Sequence, residues 1–187
     1  MNTPNKLTVL RIVLVPFFVA FLLLDQIPYH YLFAVIVFSA AAVTDAIDGK
    51  IARKHALVTD FGKFLDPLAD KILVTSALVC FIQLGFVHCV VVVIILAREL
   101  MVTSLRLVAS GQGTVIAASI WGKVKTVVQM VGIVVILVMQ AFIELFGLLS
   151  QDLAMLIGQA LMWAAAALTV VSGVEYMVAN RQFLSDK

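Results

Sequence analysis

Six apolar stretches divide this chain, at about residues 7–25, 30–53, 65–86, 87–107, 121–144 and 153–178. Each approaches the length of about 20 residues that crosses a bilayer as a helix. Short polar breaks separate them: DQIPYH, the link at 54–64, GFVHC, SGQGT and FGLLSQD. The third and fourth stretches nearly touch, so a tight turn at Gly85 must part them. An apolar content of 63% with 13% charged residues supports this reading, because soluble domains sit near roughly half and a quarter. The expected fold is an all-α integral membrane protein, a six-transmembrane-helix bundle forming one domain over 1–187. The first run is too long for a cleavable signal, and no small-residue cleavage site follows it. A net charge of +2 leaves no footprint for nucleic acid. Cys80 and Cys89 lack metal-ligand spacing and read as buried apolar thiols.

Threading six spans with both termini on one side collects all 13 Lys and Arg residues on that side. The opposite loops hold Asp25, Glu144 and Asp152 and no basic residue. By the positive-inside rule both termini are cytoplasmic, and a cavity among the charges opens to the cytoplasm. Trp121 and Tyr176 suit the inner aromatic belt, whereas Trp163, nearer mid-helix, reads as packing.

Within this oily chain the segment VTDAIDGKIARKHALVTDFGKFLDPLADK stands out. Asp45, Asp48, Gly49, Ala52 and Arg53 fall at i, i+3, i+4, i+7 and i+8, one stripe of a helix. Gly62, Asp66 and Asp70 recur every four residues and form a second stripe. Pro67 is tolerated in a first helical turn, which places Asp66 and Asp70 near the start of the third helix. Counted from residue 31, Asp45 lies about 14 residues into its helix, roughly 21 Å deep. A carboxylate there is expensive unless it faces water or a cation. Four converging carboxylates call for positive charge between them, and hard divalent cations take oxygen ligands. The competing reading is a solvated loop whose acids pair with Lys50, Arg53, Lys54 and Lys63.

The pattern Asp45-x-x-Asp48-Gly49-x-x-Ala52-Arg53-x8-Gly62-x-x-x-Asp66-x-x-x-Asp70 resembles, without a gap, the signature of the CDP-alcohol phosphatidyltransferases. That resemblance implies two divalent cations, Mg²⁺ or Mn²⁺. Asp45, Asp48 and Asp66 would hold one, and Asp45, Asp66 and Asp70 the other, with Asp70 also the general base. It assigns Gly49, Ala52, Arg53, Thr59 and Gly62 to CDP-diacylglycerol. Gly49 and Ala52 make physical sense beside a flat base or ribose, where a larger side chain would collide. It further implies a multi-pass enzyme of the bacterial inner membrane, embedded in lipid, and suggests a homodimer.

Outside the signature, PNKLTVLRIVLVPFF, AREL at 97–100 and WGKVKT at 121–126 are similar to the branch of the family whose acceptor is sn-glycerol 3-phosphate. Such an acceptor needs cations of its own. Arg98 and Arg106, eight apart, share a helix face, and Lys123 and Lys125 start the fifth helix. Being two apart, the lysines cannot share a face. An internal ion pair to an aspartate or to Glu99 competes for Arg98, and interfacial snorkelling competes for the lysines. Asn5, Thr8 and Arg11 read equally as nucleotide contacts or as a helix cap with an interfacial anchor. Inositol phosphate, phosphatidylglycerol or serine as acceptor remains open. So does, remotely, a cation or proton transporter, although the chain has no internal repeat and gathers its acids near one surface.

Overall fold

The computed structural model describes residues 3–55, 60–117 and 119–183, and the side chains of 3–4, 45–55, 60–64, 66 and 67 lie outside that description. Six long helices make up the described chain: α1 (Thr3–Leu23), α2 (His30–His55), α3 (Asp60–Gln83), α4 (Cys89–Gly111), α5 (Ile120–Phe146) and α6 (Gln151–Ala179). A single 3₁₀ turn, Arg181–Phe183, follows. Each matches an apolar stretch of the sequence. The largest shifts in boundary are at the start of α3, which begins at Asp60, ahead of the expected position, at the start of α1, at Thr3, and at the end of α4, which continues to Gly111. Pro67 therefore sits inside α3 and not in its first turn; a proline there supplies no backbone donor. Pro16 does the same within α1.

The helix ends follow local chemistry. Gly85 takes φ +75°, a left-handed conformation open to glycine. The chain then reverses so that the Phe86 and Val87 amides both donate to the Phe81 carbonyl, at 2.9 and 3.3 Å. Serines start two later helices: Ser119 Oγ accepts from the Gly122 amide at 3.1 Å, and Ser150 Oγ from Leu153 at 3.3 Å.

α1 packs on α2 and α3, α5 and α4 both pack on α6, and α2 meets α5 to join the two halves. Phe18, Phe38, Phe81, Ile95, Ile136 and Met162 belong to one buried cluster that draws on all six helices. The Phe18 and Phe38 rings stand 5.4 Å apart and tilted. Between α5 and α6 the approach is close: a Cβ at Gly158 would stand 2.9 Å from Ile136 Cγ1, and one at Gly132 would stand 3.0 Å from Met162 Sδ. Small residues at such a seam let dispersion contacts replace lipid contacts.

Among the described residues, α1 (Asn5–Leu23), α5 and α6 are long and apolar enough to cross a membrane. The described apolar part of α2 runs over His30–Thr44, before the charged segment, and α4 carries Arg98, Glu99 and Arg106 along its length. Outward faces are as oily as the core. Leu107, Val127, Leu156 and Val178 are all more than 60% exposed, as lipid-facing side chains would be. Trp163 joins them at 46% exposed, its ring 6.4 Å from that of His88, so it does not pack in the core. Of the two thiols only Cys80 is buried; Cys89 is exposed at the first residue of α4, where the turn leaves that face uncovered.

At the end of the bundle away from the signature, Glu144 of α5 crosses to the start of α2. Its carboxylate accepts from the His30 amide at 3.0 Å and the Tyr31 amide at 3.1 Å. Those amides have no partner within their own helix, so a side chain distant in sequence caps α2. The buried His30 ring donates from Nδ1 to the Phe21 carbonyl at 3.0 Å, which ties α1 to the same corner. Glu144→Ala should destabilise the fold by roughly 1–2 kcal/mol, the usual size of a lost helix cap. The check is a lowered thermal midpoint in detergent with unchanged KM values at a permissive temperature.

Candidate functional site

α3 touches α4 and α5 more sparsely than any other neighbours named above touch each other. A cavity of about 650 Å³ opens at that loose junction. Asp70 and Lys71 reach it from α3, Arg98, Thr103 and Arg106 from α4, and Ser119, Gly122 and Lys123 from the start of α5. Tyr176 of α6 closes one wall. One carboxylate thus shares a cavity with several cations, beside the first turn of a helix whose amides carry partial positive charge.

Lys71, Arg98 and Arg106 are each held in place. Lys71 Nζ donates to Thr103 Oγ1, and the Thr103 hydroxyl donates onward to the Glu99 carbonyl at 2.7 Å. Arg106 Nε donates to the Tyr176 hydroxyl at 2.9 Å, and the guanidinium carbon lies 5.5 Å from that ring's centroid. Arg98 Nη1 stands 3.3 Å from Glu99 Oε1. The same carboxylate oxygen receives Lys125 Nζ, which also donates to Gln129 Oε1 at 3.2 Å. Arg98 Nε is buried without a hydrogen-bond partner among the described residues.

The two lysines of WGKVKT part company, as their spacing requires. Lys123 lines the large cavity. Lys125 is 2% exposed and is consumed by the ion pair with Glu99. It does not line that cavity; the ammonium expected on an acceptor phosphate pairs internally with Glu99. It borders instead a second cavity of about 450 Å³, which it shares with Asp70, Lys71 and Glu99. Arg98 pairs with Glu99 and also lines the large cavity. Tyr176, expected in an interfacial belt, is 2% exposed and packs with Val102 and Leu105. Asn5, Thr8 and Arg11 form a buried polar stripe on α1, not an interfacial anchor.

Of the signature residues, Asp70 is fully described, exposed at the cavity edge. Asp45, Asp48, Gly49, Ala52 and Arg53 lie on the helical backbone of α2, and Gly62 and Asp66 on that of α3. The side chains of those seven, and Thr59 altogether, lie outside the described residues. α2 ends at His55 and α3 begins at Asp60, so the two stripes are carried by helices adjoining one short link.

A family model, CDP-alcohol phosphatidyltransferase, matches residues 1–171. The chain belongs to the CDP-alcohol phosphatidyltransferase family. It is 41% identical to the CDP-diacylglycerol–glycerol-3-phosphate 3-phosphatidyltransferase of Bacillus subtilis, over 98% of this chain and 97% of that protein. Proteins of the same name from Haemophilus influenzae and Rickettsia bellii are 35% and 33% identical, covering 99% and 97% of this chain and 96% and 97% of their own lengths. The family match takes in both signature stripes and the cavity residues of α3 to α5. It stops five residues short of Tyr176.

Sequence reasoning missed Lys71, Thr103, Ser119 and Tyr176 as cavity residues. Lys71 could have been found, since it adjoins Asp70. Tyr176 could not, because it is brought to Arg106 from 70 residues away.

The Glu99–Lys125 pair makes a prediction of its own. Glu99→Ala leaves a buried ammonium uncompensated, which should destabilise by about 3–5 kcal/mol. Glu99→Ala combined with Lys125→Met should recover most of that loss. Thermal unfolding of the two single variants and the double variant, analysed as a cycle, measures the pair directly.

Proposed function

We propose that this protein transfers the phosphatidyl group from CDP-diacylglycerol to sn-glycerol 3-phosphate, forming phosphatidylglycerol phosphate and releasing CMP. Family membership and relatives bearing that name over nearly their whole length support the reaction. The observation that carries the acceptor is the cavity in which Asp70 stands with Arg98, Arg106 and Lys123. A phosphate monoester carries close to two negative charges, and a neutral or zwitterionic acceptor would leave so many cations uncompensated.

In this reading the acyl chains of the donor stay in lipid and its CDP part meets Gly49, Ala52, Arg53, Thr59 and Gly62. Arg98, Arg106 and Lys123 grip the acceptor phosphate, with Ser119 and the first turn of α5 beside them. Asp70 takes the proton of the acceptor's 1-hydroxyl as that oxygen attacks the β-phosphorus, and CMP departs. The protein's work is positioning and charge stabilisation. The donor set of the signature is all carboxylate oxygen on two adjoining helices, and the one carboxylate described opens to the cavity. That chemistry suits Mg²⁺ or Mn²⁺, with Asp45, Asp48 and Asp66 holding one ion and Asp45, Asp66 and Asp70 the second. Such ions would neutralise the diphosphate and polarise the reacting phosphorus.

The architecture that goes with this function is one domain over 1–187, with six spans and both termini in the cytoplasm of a bacterial inner membrane. The one-sided distribution of Lys and Arg supports that orientation. A homodimer completes the proposal.

The purified protein should release CMP from CDP-diacylglycerol with sn-glycerol 3-phosphate, and a chelator should stop turnover. Equal rates with inositol phosphate, serine or phosphatidylglycerol would remove the acceptor assignment. Asp70→Asn should abolish turnover while donor binding persists. Arg106→Ala should raise the acceptor KM roughly tenfold or more, the scale of a lost charge-assisted bond, with the donor KM little changed.

A further inference from the structure

Arg98 and Arg106 both project from α4, where Arg98 pairs with Glu99, and a residue of α6 stands against each of them. Gly173 and Tyr176 are three residues apart, hence on one face of that helix, and α6 packs directly on α4. A Cβ at Gly173 would stand 3.1 Å from Arg98 Cγ, so the absence of a side chain there is what lets the arginine stem pass. On the far side, a Cβ at Gly122 of α5 would stand 3.2 Å from Arg98 Nη2. Arg98 is thus threaded between two glycines of different helices, with its side chain only 12% exposed.

Tyr176 acts on the other arginine by attraction. Its ring is anchored beside Val102 and Leu105, and its hydroxyl accepts from Arg106 Nε at 2.9 Å. Only the inner nitrogen is used. The two terminal nitrogens, the fork that matches phosphate oxygens, have no partner among the described residues. A long arginine otherwise samples many rotamers, and holding it by Nε removes that freedom before a ligand arrives.

We propose that α6, which brings no charge to the cavity, is the positioning helix of the acceptor site, with Gly173 setting Arg98 and Tyr176 setting Arg106. This rests on the acceptor reading given above. Neither residue touches substrate; each acts through an arginine and governs how tightly the acceptor phosphate is held.

The test is steady-state CMP release from CDP-diacylglycerol by the full-length protein in detergent, varying each substrate in turn. Tyr176→Phe keeps the ring and should raise the KM for sn-glycerol 3-phosphate about fivefold to tenfold, the scale of immobilising one long side chain. Gly173→Ala should raise it at least about threefold by displacing the arginine stem. The donor KM should stay within about twofold in both. A merely structural Gly173 predicts a shifted thermal midpoint, through the tight contact set against alanine's better helix propensity, and no change in acceptor KM. Gly132→Ala, an equally tight glycine remote from the cavity, should alter stability and leave the acceptor KM alone.

Coupling decides the mechanism. Tyr176→Phe should add nothing in an Arg106→Ala background, and Gly173→Ala nothing in an Arg98→Ala background. Additive effects, or equal rises in both KM values, would overturn the proposal. Should Gly173→Ala not fold, the Tyr176 cycle still decides. A wild-type enzyme indifferent to sn-glycerol 3-phosphate would instead sink the acceptor reading itself, and a wild type that uses it while both variants keep the normal KM sinks only the role of α6.

Discussion

An arginine, a glutamate and a lysine meet inside the apolar bundle, and the neutralisation among them is the condition on which the site rests. Glu99 Oε1 receives both Arg98 and Lys125, one from its own helix and one from α5. In a medium that cannot solvate charge, a guanidinium halfway along a helix is tolerable only when a carboxylate stands beside it. The ion cluster therefore fixes α4 against α5 at the edge of the cavity, where Asp70 also stands.

The cavity's position has a packing cause. α1 packs on α2 and α3, α6 packs on α4 and α5, and the two groups are stitched by the α2–α5 contact and by the Glu144 cap at the opposite end. With one end of the bundle tied, the helices can part at the other, and α3 stands away from α4 and α5 there. Glycines at 132 and 158 draw α5 and α6 close in the interior, whereas glycines at 122 and 173 leave room for an arginine. The same residue type does two jobs, set by what lies opposite.

The family relatives and the geometry speak to different halves of the reaction. The signature on α2 and α3 concerns the CDP part, which every acceptor variant shares. The cations that line the cavity outside that signature, Arg98, Arg106 and Lys123, lie on α4 and α5. Tyr176 stands beyond the end of the matched family segment, yet it touches Arg106.

By itself the sequence determined the number and approximate bounds of the helices, because each needs a long apolar run that composition displays directly. It also determined the turn at Gly85 and the two acidic stripes, since those depend only on residues near each other along the chain. The period of a helix then groups Arg98 with Arg106 and separates Lys123 from Lys125. Tertiary structure alone decided which lysine would be buried, that Arg98 would serve Glu99 and the cavity together, and that Cys89 and Trp163 would face outward. It alone brought Glu144 to α2 and Tyr176 to Arg106. Those outcomes turn on which helix faces meet across more than 60 residues of chain, and in a uniformly apolar chain hydrophobicity does not say which face looks inward.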